Sequence, residues 1–126
     1  MKVEVSIGEV ADKTTILEIK TEKFQSEEKL KNVTKEYKVL KEEISKVGIT
    51  PDSDEYIRLK KINLQLWHIE DDIRIKESKQ EFDDDFIKLA RSVYFINDDR
   101  ADVKKEINLK FGSDLIEEKE YVNYKS

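Results

Sequence analysis

Apolar residues recur along this chain at intervals of three and four, the spacing that stacks side chains on one face of an α-helix. Val10, Thr14, Leu17, Thr21 and Phe24 mark a first stripe, widened by Ile16 and Ile19. Leu30, Val33, Tyr37, Leu40, Ile44 and Val47 mark a second, unbroken and coiled-coil-like, which predicts a seam that is structural throughout. Leu59, Ile62, Leu66, Ile69 and Ile73 mark a third. The fourth runs through Phe86, Ala90, Val93, Asn97, Arg100, Lys104, Ile107 and Phe111. Three polar residues therefore stand at consecutive core-type positions. A second stripe on that segment, through Leu89, Ile96 and Val103, is apolar, so a rotated helix could expose the polar three. Ahead of all four, "KVEVSI" at 2–7 alternates polar and apolar, which predicts a short strand or an extended arm.

The helix boundaries follow from capping chemistry. Ser6 with Glu9 reads as a capping box, and Ser26 with Glu27 and Glu28 as a second start. Gly48 ends the second helix, with Ile49 folding back on Ile44. "TPDSDE" at 50–55 predicts a third start, with Thr50 as cap and Pro51 in the first helical position. That helix runs to about Lys79. Asp83 caps the fourth, stapled by Phe82 and Ile87, and Gly112 stops it. "SDLIEEKEYVNYKS" then predicts a tail with one more short helix from Ser113. Short connections make successive helices antiparallel. The expected fold is all-α: one domain over 1–126, an antiparallel bundle of long helices with a short N-terminal extended arm. Rods of about 40 Å, at 1.5 Å per residue, leave much of their sides uncovered in a monomer. A homodimer is therefore expected.

Composition narrows the function classes. Charged residues reach 42%, but Ile, Leu, Val and Phe make up 37 of 126 residues, enough for a core. The net charge is −5 with both signs interspersed, and no basic stripe stands out, so nucleic acid is not an expected partner. There is no Cys and one His, which argues against disulfides, thiol chemistry and a Ser–His–Asp triad. The longest apolar run, "VYFI" at 93–96, is too short to span a membrane. A soluble, cytoplasmic protein is expected.

Candidate chemistry concentrates at "LWHIEDDIR", residues 66–74, which holds the only Trp and the only His. Asn63, Trp67, Glu70 and Arg74 follow at four, three and four, a stripe about 100° from the apolar seam. The plain reading is a boundary Trp beside an i,i+4 ion pair. His68 reads as a surface or interface residue. The sharper reading joins Glu18, Trp67, Glu70, Arg74, Asn97, Arg100 and Lys104 into one polar cluster with Trp67 as a wall. Two acids against three cations would then favour an anion. "EDDIR" and "NDDR" resemble paired acidic motifs that hold a divalent metal in all-helical nucleotide pyrophosphatases. Only Asp99–Asp102 has suitable spacing, so no cofactor and no metal site is expected.

Taken together, "ADKTTILEIK" (11–20), "LWHIEDDIR" (66–74), "LARSVYFINDDRADVKKEIN" (89–108) and "GSDLIEEKEY" (112–121) resemble a small uncharacterised bacterial and phage family, a domain of unknown function. The likeness covers nearly the whole chain, with 25–60 free to vary. Members of that family often accompany glycan and lipopolysaccharide synthesis genes, which implies a setting and no activity. "LWHIEDDIR" with "INDDR" is also similar to a second helical family of unknown function. The resemblance carries no catalytic residues. It places Glu18, Lys20, Trp67, Glu70, Asp71, Arg74, Asn97, Arg100, Lys105, Glu106 and Asn108 in motif segments. Two function classes follow. One is a non-enzymatic, dimeric helical module that binds a partner protein in cell-envelope glycan assembly. The other is a binding protein or enzyme for a small anion, such as a phosphorylated sugar or a nucleotide. Convergence of Arg74, Arg100 and Lys104 on a cavity would favour the second, and their splaying into solvent the first.

Overall fold

The computed structural model describes residues 1–125. Four helices form, α1 (Ile7–Lys23), α2 (Glu27–Ser45), α3 (Asp54–Ser78) and α4 (Asp84–Lys110), and no strand among the described residues. The residues ahead of Ser6 form no strand; they are exposed and outside any regular element. Ser6 caps α1 by accepting from the Glu9 N–H at 3.1 Å. The Glu9 carboxylate does not close the capping box; it reaches across to Lys104 at 2.6 Å. Asp83 caps α4 through the Phe86 N–H at 3.0 Å. Phe82 stacks edge-on against Phe86, while Ile87 stays largely exposed.

α1 is the central rod, packed against all three other helices, while α2 packs on α1 alone and α3 pairs with α4. That explains why α1 is buried on two sides. Leu17, Thr14 and Ile19 lie on the expected face, but Gly8, Ala11, Asp12 and Thr15 are buried as well. α1 and α4 run antiparallel: Gly8 lies opposite Asn108, whose Oδ1 accepts from the Gly8 N–H at 2.6 Å. A Cβ on Gly8 would stand 2.5 Å from the Lys104 carbonyl oxygen, so only glycine lets the two backbones approach this closely. The core gathers Ala11, Ile44, Ile49, Tyr56, Leu59, Val103 and Ile107, with Ile7, Val10, Ile62 and Phe111 around it.

Beyond the open capping box, three more expectations need correction. The α3 cap is Ser53, not Thr50. Thr50 accepts from the Ser53 N–H at 2.9 Å and donates its own N–H to Ser53 Oγ at 2.9 Å. Pro51 therefore occupies the second position of a β-turn, where its fixed φ fits. The α2 seam is fully buried only at Ile44, and Val47 is exposed, because one neighbouring helix covers one side of it. Among the described residues no helix follows Ser113. Its hydroxyl is engaged with the Ile7 N–H and the Leu115 carbonyl, and the segment runs back along α4 without regular structure, Glu117 meeting Lys104 and Tyr124 meeting Asp98.

Candidate functional site

The polar stripe of α4 is not turned outward. Val103, Lys104, Ile107 and Asn108 are all buried, and α1 supplies the counter-charge. Asp12, 1% exposed, accepts from Arg100 Nε at 2.9 Å and from Arg100 Nη2, and its Oδ1 also accepts from Asn63 Nδ2 at 2.8 Å. Asn63 donates again to Thr15 Oγ1 at 2.8 Å. Lys104 Nζ lies 3.9 Å from Asp12, 2.6 Å from Glu9 and 3.2 Å from Glu117. Two cations that would be prohibitive to bury alone are thus matched by carboxylates on α1 and beyond α4. The bond to Asp12 raises the Arg100 pKa over the opposing effect of burial. Burial works to lower the Lys104 pKa, but Glu9 and Asp12 outweigh it and leave it raised.

A cleft of about 410 Å³ opens where α1, α3 and α4 diverge. Ile16, Ile19 and Leu66 make its apolar part; Asn63, Trp67, Glu70, Asp71, Arg74, Asn97 and Arg100 complete the lining. Five residues of the proposed polar cluster therefore share one cleft: Trp67, Glu70, Arg74, Asn97 and Arg100. Trp67 also meets Phe24, with ring centroids 6.3 Å apart. Arg74 is 76% exposed at its side chain and lies 3.5 Å from Glu70, the expected i,i+4 pair.

Glu18 and Lys104 lie elsewhere. Glu18 Oε2 accepts from the Tyr37 hydroxyl at 3.2 Å and from the Tyr56 hydroxyl, and Oε1 from Lys60 at 2.8 Å. Burial pushes the Glu18 pKa up, but Lys60, Tyr56 and Tyr37 overcome it and hold the carboxyl below the usual range. Burial and the adjacent carboxylate push the Tyr56 phenol far upward. This second polar centre ties α1 to α2 and α3, and Lys60 extends it to Glu22 at 2.6 Å. Arg100, Lys104 and Arg74 do not converge on one point. Among the described residues no group of three or more His, Cys, Asp or Glu side chains is placed to hold a metal ion, and the exposed His68 belongs to no such group.

Sequence reasoning missed Asp12, which removes the surplus of positive charge. With Asp12 counted, Arg74 and Arg100 face three carboxylates, Asp12, Glu70 and Asp71. The available signal was the stripe Gly8–Asp12–Thr15, small and polar residues at four and three on the helix with the most neighbours.

Fold and site define an all-helical protein, four helices with a Trp-walled cleft and a buried ion network. Its whole length, residues 1–126, matches the model of a family of unknown function, DUF6165, and the chain belongs to that family. No curated protein and no solved structure matches it. Among the described residues no helix is long and apolar enough to cross a membrane.

Proposed function

We propose that the chain is a non-enzymatic, dimeric helical module that docks on a partner protein in the cytoplasm. The setting in cell-envelope glycan assembly rests on the resemblance of its motif segments alone. One observation carries the dimer. α3 and α4 extend beyond the helices that cover them, and their shared tip leaves Ile75, Phe82 and Ile87 each more than half exposed. Ile69, Ile73, Phe86, Leu89 and Val93 on the same tip are only partly covered. Such a face is what a second tip would cover. The pairing of Arg100 with Asp12 and the splaying of Arg74 into solvent support the module over an anion site. Light scattering during size exclusion should give about twice 14.9 kDa. Ile75→Glu with Ile87→Glu should halve that mass and leave the helical signal unchanged. A parent protein that is monomeric at micromolar concentration overturns the dimer.

A second reading is favoured by the cleft itself, which gathers Trp67, Glu70, Arg74, Asn97 and Arg100 around about 410 Å³. Under it the cleft binds a small molecule with an anionic group, a phosphorylated sugar or a nucleotide. Its mixed lining fits a ligand that donates as well as accepts. A thermal-shift screen with phosphate, sugar phosphates, nucleotides and divalent ions tests it. A rise in melting temperature that Trp67→Ala abolishes supports the site; no shift with any of them removes it.

A further inference from the structure

Three of the five tyrosines, Tyr94, Tyr121 and Tyr124, gather where residues 119–124 pass over α4. The Tyr124 ring meets Tyr94 edge-on at 4.8 Å, the two planes at 78°, and its hydroxyl donates to Asp98. That contact pins the segment without closing it onto the helix. A hollow of about 610 Å³ remains, bounded on the helix side by Val93, Tyr94 and Asn97 and on the segment side by Tyr121 and Val122. Its size lies within the range of small-molecule sites. The core gains nothing from these side chains, since every residue from Asp114 to Lys125 is exposed. Tyr121 is 75% and Val122 89% exposed although they border the hollow. Large apolar side chains left uncovered around a concavity mark a binding surface.

The lining says what fits. Because the Tyr94 and Tyr124 rings stand nearly perpendicular, a flat ring stacked on one meets the other edge-on, and aromatic quadrupoles favour both arrangements. A corner of rings beside a carboxylate would also suit an organic cation. The chain already supplies that cation: Lys125 Nζ stands 5.7 Å over the Tyr124 ring and 3.5 Å from Asp98. A plain hydrocarbon would make no use of the polar groups in the lining. The Asn97 amide both donates and accepts, and the Lys119 ammonium donates. Their complement is a flat ring with donors and acceptors along its edge.

We propose that the hollow binds a planar heteroaromatic ring of the nucleobase type, purines above all, stacked among Tyr94, Tyr121 and Tyr124 with its polar edge toward Asn97. The terminal segment is one wall of this site and stays in place. Asn97 also lines the Trp67 cleft, but the proposal needs neither an anion in that cleft nor a second copy of the chain.

Calorimetric titration of the full chain with adenosine, guanosine, ribose and tetramethylammonium tests the site. The nucleosides carry no phosphate, so their binding reports on the hollow and not on an anion in the cleft. Adenosine and guanosine should bind; ribose, which has no ring to stack, and tetramethylammonium should not. Tyr121→Ala should weaken nucleoside binding by about tenfold or more, the loss expected when one stacking ring is removed. Tyr94→Ala should do the same from the helix side. Tyr124→Phe keeps the ring and loses only the hydrogen bond to Asp98, so it should retain most of the affinity. Circular dichroism checks each fold; if Tyr94→Ala does not fold, Tyr121→Ala decides, because that side chain is exposed and outside the core. No binding of either nucleoside by the folded parent, tighter binding of tetramethylammonium or ribose than of the nucleosides, or unchanged nucleoside affinity in Tyr121→Ala overturns the proposal.

Discussion

Asp12 shows what a single buried carboxylate does in this protein. It holds Arg100 and orients Asn63, and it is the centre through which α1, α3 and α4 meet. Arg100→Leu would strand Asp12 without its main partner and should cost roughly 3 kcal/mol, whereas Asp12→Leu with Arg100→Leu should be far milder. Urea melts of the two single variants and the double variant measure the difference. Glu18 gives a pH signature. Its folded pKa lies below the ordinary 4.5, so its contribution is complete above that value and is lost as pH falls through the lowered folded value. Glu18→Gln should therefore destabilise by about 1–3 kcal/mol at neutral pH, and the gap to the parent should close below pH 4.5. A gap that persists in acid would mean that shape, not charge, sets the role of Glu18. These two residues also show the limits of the sequence. Periodicity put Glu18 at the edge of the α1 stripe, but its partners Tyr37 and Lys60 sit 19 and 42 residues away, and no spacing rule reaches that far. Trp67, Glu70 and Arg74 were legible because four residues make one helical turn, and Asn97 and Arg100 because they interrupt an apolar stripe. Which carboxylate answers Arg100 depends on which helix lies opposite.

The elements themselves follow closely from local chemistry, because caps and stops act over a few residues. Gly48 and Gly112 both take positive φ at helix ends, as their lack of a Cβ allows. α3 ends in the same way at Gln80, φ 54°, where the Glu81 N–H donates back to the Lys76 carbonyl at 3.0 Å. Here a residue with a Cβ occupies the left-handed position. Gln80→Gly should stabilise the protein by about 1 kcal/mol, read as a higher urea midpoint with an unchanged slope. Gly8→Ala should go the other way despite alanine's higher helix propensity, since its methyl group would press on the Lys104 carbonyl. The α2 seam was read at full strength from an unbroken pattern of apolar residues. Pattern reveals which side of a helix is apolar, not how many neighbours cover it. Leu40 is only partly buried beneath one helix, so Leu40→Ala should cost about 1–2 kcal/mol, below the range for a fully enclosed leucine.

At the scale of the molecule, burial is concentrated at one end. The fully buried side chains of α3 lie between Glu55 and Asn63, and those of α4 between Val103 and Asn108. Beyond them the α3–α4 hairpin continues with apolar residues that two helices alone cannot enclose. Order should therefore fade from core to tip in an isolated copy, with amides near Ile69–Ile73 and Leu89–Val93 exchanging faster than those near Leu59 and Ile107. If a second copy covers the tip, association and folding are linked by mass action. The melting temperature should then rise as protein concentration rises, and protection at the tip should rise with it while the core stays constant. Ile75→Glu with Ile87→Glu should remove both dependences without lowering core protection, because both side chains lie outside the buried set. Melting curves that superimpose over a hundredfold range of concentration, with a tip as protected as the core, would show that the hairpin is complete in one chain.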